Sequence, residues 1–275
     1  VSQRKMTSLP LEMLLILISF LFLYPIYFLF VGSFKEPKDF YNAFSFPTTL
    51  YLGSYEKIFQ KINFFQGLMN STIVTLGTLM LTIIIGSMAG YILTRMNQKF
   101  FRFAYLFLLS GMIIPSIGNL IPLFKLAISL HLMNTRTFLI ILYTAGQIPF
   151  TAFLYSAFTK SIPRELEESA SIDGSGKFRM FWTIVFPLLL PATGTYVITH
   201  VYGLWNDFLT PLIFLNQQKH MTLMPLIYQF IGNNQSVDYG PIFAASVMTV
   251  LPIIVLFLFT QKYMLQGLVI GSVKG

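Results

Sequence analysis

Leu68-Met69-Asn70-Ser71-Thr72-Ile73-Val74-Thr75-Leu76-Gly77-Thr78-Leu79-Met80-Leu81-Thr82-Ile83-Ile84-Ile85-Gly86-Ser87-Met88-Ala89-Gly90-Tyr91-Ile92-Leu93 lies between Lys61 and Arg95 without a single charged side chain. A helix rises about 1.5 Å per residue, so roughly 20 residues cross the hydrocarbon core of a bilayer. This run is long enough to do so. In hydrocarbon every backbone amide must find its partner within the chain, which restricts spanning structures to helices and closed β-barrels. Barrel strands alternate apolar and polar residues. Leu14-Leu15-Ile16-Leu17-Ile18 does not alternate, and the expected fold class is all-α.

Outward from this run the same pattern recurs. Charge is absent from Met13 to Phe34, between Arg102 and Lys125, between Arg136 and Lys160, between Arg179 and Asp207, and between Asp238 and Lys262. Together these predict a polytopic membrane protein with six transmembrane helices, with cores at 14–31, 68–93, 103–123, 138–158, 188–209 and 242–263. The whole chain, 1–275, reads as one transmembrane domain with a polar loop at 160–187 and a tail at 264–275. Composition agrees: 55% of residues are hydrophobic and 10% charged, against about 25% charged in soluble domains. The first apolar segment exceeds a signal peptide's core, and no small-residue cleavage site follows it, so it reads as a retained helix.

The net charge of +8 raises the question of nucleic acid. The placement of the basic residues answers it. With both termini inside, Arg4, Lys5, Arg95, Lys99, Arg102, Lys160, Arg164, Lys177, Arg179, Lys262 and Lys274 fall on the cytoplasmic side. Lys35, Lys38, Lys57, Lys61, Lys125, Arg136 and Lys219 fall outside. That is the bias of a multi-pass protein of the cytoplasmic membrane, with lipid as its surroundings and no nucleic-acid partner.

Several patterns suggest chemistry and do not sustain it. Gly174-Ser175-Gly176-Lys177 lacks the upstream glycine and the following Ser or Thr of a phosphate loop, because Ser171 and Phe178 stand there. No ATP site is expected in this chain. There are no cysteines, and His131, His200 and His220 are too scattered for a metal site. No nucleophile, base and orienting acid come together, so no enzyme is expected. Gly86-Ser87-Met88-Ala89-Gly90 reads as ordinary close helix packing.

The loop Lys160–Arg179 is more informative. Ser161 is positioned to cap a helix, Pro163 suits a first turn, and Glu165, Glu167 and Glu168 complement the dipole. Gly174 supplies a left-handed stop. A second short helix, about Lys177–Val185, leads to Pro187. The result is a cytoplasmic helix–Gly–helix hairpin with Leu166, Ala170 and Ile172 available for packing. Resting on headgroups is the simpler role, but four acidic residues oppose an anionic leaflet, which favours docking to a protein.

Glu168-Ser169-Ala170, then Gly174, Ile184 and Phe186-Pro187, resembles the EAA motif of ABC importer permeases at every interval, with Ser169 for alanine and Phe186 for leucine. The resemblance extends over most of the chain to the MalG-like carbohydrate permeases. It includes Asn70-Ser71, Tyr91-Ile92-Leu93-Thr94-Arg95, Met112-Ile113-Ile114-Pro115, Ile121-Pro122-Leu123-Phe124, Ile172-Asp173-Gly174, Trp205-Asn206-Asp207-Phe208-Leu209, Gln266-Gly267-Leu268 and the end Val273-Lys274-Gly275. It implies the type I permease fold, with the hairpin as a coupling helix seated in an ATPase cleft. Glu165, Glu168, Ser169, Ala170, Asp173 and Gly174 would then be the ATPase-coupling residues. Glu168 would meet a basic residue there, Ala170 would pack closely, and Gln266, Gly267 and Lys274 would reach the ATPase interface. The implied partners are two ATPase subunits that bind ATP and Mg, a second homologous permease and an extracytoplasmic sugar-binding protein.

Polar residues within the spans suggest a substrate path. Tyr196, His200, Gly203, Asp207 and Thr210 recur at spacings of three and four, as do Tyr143, Gln147 and Thr151. Such residues face a bundle interior or a wet route. The competing reading is hydrogen bonding between helices with no substrate. Asn206 and Asp207 are expected near the outer end. An ion-coupled secondary transporter is the alternative function, disfavoured because the spans carry no carboxylate at mid-depth and no evident internal repeat.

Overall fold

The computed structural model describes residues 8–41, 46–47, 49–113, 116–231 and 237–272, with 8–10, 41, 116–117 and 259–272 described by backbone alone. Among the described residues the secondary structure is helical, apart from one isolated antiparallel bridge, Ile231 to Val237. The helices are α1 Ser8–Gly32, α2 Gly53–Lys61, α3 Phe64–Arg95, α4 Lys99–Ser110, α5 Leu120–Ser129 and α6 Arg136–Thr159. They continue with α7 Glu165–Ile172, α8 Lys177–Leu188, α9 Leu190–Trp205, α10 Leu209–Phe214, α11 Leu223–Tyr228 and α12 Tyr239–Ser272.

Among the described residues four helical segments are long and apolar enough to cross a membrane: Leu11–Gly32, Phe64–Arg95, Arg136–Thr159 and Tyr239–Leu258. They coincide with the first, second, fourth and sixth expected spans. The fifth is divided. Helices α8 and α9 meet at a 66° bend and form one span only if taken together, and α9 ends at Trp205 rather than running to 209. The third, 103–123, is also not one helix. α4 stops at Ser110, 3₁₀ turns occupy Gly111–Ile113 and Ser116–Asn119, and α5 begins at Leu120. Gly111 stands where the first helix stops, and Gly118 and Asn119 stand just before the next begins, so poor helix formers flank the interruption. Length and apolarity alone did not register that interruption.

The described chain forms two compact units. One comprises residues up to Phe64 together with Leu226–Pro252. Its centre is aromatic: Phe243 meets Phe28 edge-on at 5.6 Å and stacks on Phe40 at 5.8 Å. Lys57 pairs with Asp238 at 2.9 Å, and Lys61 donates to the Gln229 carbonyl at 2.7 Å, fastening α2 to the segment before α12. Along α1, Leu14, Leu17, Phe20, Leu21 and Phe22 are all exposed. A contiguous apolar surface of this kind needs lipid or another protein against it.

The other unit comprises Phe65–Pro225 and the residues from Ile253. Helix α6 starts where Thr135 Oγ1 accepts from the Phe138 amide at 3.3 Å, a side-chain cap. It packs against α3 along a row of glycines. A Cβ on Gly90 would stand 2.6 Å from Tyr155 Cβ and 2.9 Å from the Ser156 amide, and one on Gly77 would stand 2.9 Å from Ile140 Cδ1. Only glycine permits that approach, so Gly86–Gly90 is a close-packing element, as expected. Ser156 Oγ donates to the Gly90 carbonyl at 3.1 Å across the same contact. At the far end of α3 the buried Asn70 uses its whole hydrogen-bonding capacity. Its Nδ2 donates to the carbonyls of Lys219 and Met221, at 2.9 and 2.8 Å, and its Oδ1 accepts from Gln66 and Arg136, at 3.2 and 3.1 Å.

Candidate functional site

The loop between α6 and α8 folds into the expected hairpin, with one change at its start. Ser161 does not cap the helix, because its hydroxyl donates back to the Phe158 carbonyl at 2.7 Å, closing α6 instead. Helix α7 begins four residues later at Glu165, with no side-chain cap. Glu165, Glu167 and Glu168 occupy its first turn. It ends at Ile172, and Gly174, two residues on, has a φ of +79°, the left-handed region expected from sequence. The Ser175 amide reaches the Ala170 carbonyl at 2.9 Å and the Gly174 amide that of Ser171 at 3.1 Å, satisfying the last turn.

The hairpin's two faces differ. Ala170 is buried on the inner side. Glu165, Glu168, Ser169 and Asp173 are exposed, and Ile172 and Phe178 leave 86% and 69% of their surface uncovered. Of the three apolar residues available for packing, Ala170 is used within the chain, and Leu166 and Ile172 remain on the open side. Among the described residues no hydrogen bond or ion pair engages the Glu168 carboxylate, whereas Glu167 turns inward to Arg95 at 2.6 Å. That inward contact was not anticipated. The signal was present, since two adjacent glutamates on a helix cannot face the same way and Arg95 has no acidic neighbour on its own helix.

The return limb is irregular. Phe181–Val185 forms a π-helical turn before Phe186, followed by the 66° bend into α9. Tyr155, Phe181, Val185 and Leu189 close a buried cluster under this bend. Wide turns inside α-helices often mark functional positions.

Higher in the same unit the polar residues of α6 and α9 are brought together pairwise. Tyr143 donates to Asp207 Oδ2 at 2.8 Å, and Tyr196 donates to Gln147 Oε1. His200 lies 4.7 Å, ring to ring, from both Tyr196 and Phe150. Its Nδ1 is 2.8 Å from Thr199 Oγ1. Asp207 is in the coil after α9, not on its helical face, and its Oδ1 accepts from the Thr210 amide at 3.3 Å at the start of α10. Asn206 does not join this group, because its Nδ2 donates to the Tyr202 carbonyl of its own helix at 3.0 Å. Gln266 and Gly267 are within α12, where only the backbone is described, and Lys274 lies outside the described residues, as do Ile114 and Pro115.

Long apolar helices, an exposed acidic hairpin and paired polar groups between helices define a multi-pass helical membrane protein of the transport-permease kind. Residues 82–268 match the family model described as the binding-protein-dependent transport system inner membrane component, and the chain belongs to that family. The melibiose/raffinose/stachyose import permease protein MelC of Bacillus subtilis (strain 168) is 37% identical over 252 residues, covering 91% of each chain. Among solved structures, a bacterial ABC transporter involved in the import of the acidic polysaccharide alginate has the same fold at TM-score 0.80 and 20% identity, covering 96% of this chain and 98% of that one. A bacterial alginate ABC transporter in complex with alginate pentasaccharide-bound periplasmic protein matches at TM-score 0.59 and 18% identity, over 94% and 93%. The resemblance drawn from the hairpin motif is thereby upheld, and the chain is an inner-membrane permease of an importer rather than a secondary transporter.

Proposed function

We propose that this chain carries a sugar or oligosaccharide, forming half of the translocation path of an ATP-driven importer, and that its hairpin takes up the motion of an ATPase subunit. The observation that carries the reading is the open face of the hairpin. Exposed Glu165 and Glu168, whose carboxylates meet no partner among the described residues, accompany exposed Leu166, Ile172 and Phe178. A surface both apolar and acidic suits a protein cleft better than anionic headgroups. In this reading Glu168 meets a cation of the ATPase, Ser169 lies at the contact, and buried Ala170 and left-handed Gly174 hold the hairpin's shape. Asp173, Gln266, Gly267 and Lys274 extend the contact.

ATP and Mg are held by two ATPase partners, and this chain is not an enzyme. A second homologous permease completes the path, and an extracytoplasmic binding protein delivers the sugar. Both termini are cytoplasmic. Closure of the ATPases moves the hairpins, and the helices above them alternate between inward and outward access. Tyr143, Gln147, Tyr196, His200 and Asp207 would line the path, with Asn206 near its outer mouth. Hydroxyl, amide and imidazole groups beside aromatic rings suit a sugar, although their mutual hydrogen bonds serve helix packing equally well.

The test is uptake into vesicles bearing the complete transporter, with melibiose, raffinose, stachyose and alginate pentasaccharide as probes. ATP-dependent uptake of one or more of these, abolished by omitting the binding protein, is expected. Uptake that persists without ATP and follows an ion gradient contradicts the reading.

A further inference from the structure

Glu167 and Glu168 are adjacent, alike in chemistry and opposite in direction. Glu168 is exposed. The Glu167 and Arg95 side chains each keep 12% of their surface exposed. Oε1 of Glu167 accepts from Arg95 Nε at 2.7 Å and faces its Nη2 at 2.6 Å, while Oε2 accepts from the Tyr91 hydroxyl at 2.7 Å. The same Nη2 donates to the Ile162 carbonyl at 2.9 Å, on the strand of chain that enters the hairpin. Both carboxylate oxygens are thus occupied by donors from one helix, and the guanidinium is shared between the hairpin and the backbone leading into it.

This arrangement is a joint rather than a single contact. Tyr91 and Arg95 are one turn apart on α3, so the carboxylate is held at two points along that helix. A guanidinium held through two of its nitrogens, on a carboxylate and on a backbone carbonyl, resists rotation where a single bond would swivel. With little surface left to water, each charge depends on the other, and the group moves as one piece. The return limb is tied to the same place, since the Phe181 ring of the π turn lies 5.3 Å from that of Tyr91. Both limbs of the hairpin therefore end on the last turn of α3. The same turn is fastened to α6 by Thr94 Oγ1, 3.4 Å from the Ser156 carbonyl.

We propose that Glu167, Arg95 and Tyr91 form the joint through which movement of the hairpin reaches α3, and that they are positioning residues for transport rather than docking residues for the ATPase. The proposal rests on the reading of the hairpin as the ATPase-facing element. It assigns the two glutamates separate tasks. Glu168 contacts the partner, and Glu167 transmits what that contact delivers. Loosening the joint leaves the hairpin seated and ATP hydrolysed while the helices follow less faithfully.

The experiment uses the complete reconstituted transporter and reads two quantities. One is molecules of the fastest-moving probe sugar taken up per ATP hydrolysed. The other is disulfide capture of Ser169→Cys by cysteines across the ATPase cleft. Glu167→Gln keeps the shape and removes the charge, and the exchanged pair Glu167→Arg with Arg95→Glu restores it in reverse. Expected are a fall of about tenfold in uptake per ATP for Glu167→Gln with capture unchanged, and recovery of at least a third of native uptake per ATP in the exchanged pair. Native uptake per ATP in Glu167→Gln overturns the proposal. So does parallel loss of capture and assembly without recovery in the exchanged pair, which marks a purely structural contact. Absence of capture in the otherwise native chain refutes the docking reading, and the joint falls with it.

Discussion

Replacing Gly90 by alanine tests the packing on which the hairpin stands. A Cβ there would lie 2.6 Å from Tyr155 Cβ, 2.9 Å from the Ser156 amide nitrogen and 3.0 Å from the Ala152 carbonyl oxygen, whereas ordinary contact begins at 3.4 Å. Two of the three neighbours are backbone, so no rotamer change relieves the clash. Helices α3 and α6 must separate, which also strains the Ser156 to Gly90 hydrogen bond. Overpacking of this sort costs about 1–3 kcal/mol. In thermal unfolding of the detergent-solubilised protein, that corresponds to a fall of roughly 3–10 °C in Tm. Gly146 is the control. It too lies inside a long helix, α6, but a Cβ there meets nothing within 4 Å. Gly146→Ala should be neutral or stabilising by up to about 1 kcal/mol. Equal melting temperatures for native, Gly90→Ala and Gly146→Ala proteins would show that α3 and α6 do not depend on glycine for their close approach.

Three further outcomes follow from the geometry. Gly174→Val puts a β-branched residue at φ +79°, a penalty of about 1–2 kcal/mol or more; uptake per ATP should drop severalfold, and Gly174→Asn should retain most of it. Asn70→Ala leaves the Lys219 and Met221 carbonyls and Arg136 short of a partner, costing about 1–3 kcal/mol; hydrogen exchange should speed up at 217–223 before it changes elsewhere in that unit. Tyr143→Phe removes one donor from Asp207, worth about 1–3 kcal/mol; if these residues line the path, initial sugar uptake falls severalfold while assembly with the ATPase is unchanged, and unaltered uptake assigns the pair to helix packing.

How far the sequence was legible depended on whether a feature is local. The charge-free run between Lys61 and Arg95 needs no partner to be read, because the bilayer alone demands a helix, and α3 formed across it. Gly174 was equally plain, since a positive φ is a property of one residue. The third expected span is not one continuous helix, because apolar composition measures transfer into lipid, not helical continuity, and Gly111 and Gly118 interrupt the run without making it polar. Ser161 misled for a related reason. A serine before a helix and a serine after one look alike, and here its hydroxyl closed the preceding helix. The partners of Glu167 and Asp207 were hidden by distance along the chain, 72 residues from Arg95 and 64 from Tyr143. Chemistry named the candidates at those positions, and tertiary contact chose between them.

Everything proposed for the hairpin depends on its open face seating in an ATPase subunit. The chain has no cysteine, and Ser169 is exposed on α7 with its hydroxyl donating to the Glu165 carbonyl at 2.8 Å, so Ser169→Cys gives one reporter. The most direct measurement is disulfide formation between it and cysteines scanned across the partner's cleft, with and without nucleotide. Capture is expected at a narrow set of cleft positions, with a yield that changes when ATP binds. An intact complex in which both thiols react with a small reagent, yet no cleft position captures the hairpin, would contradict it.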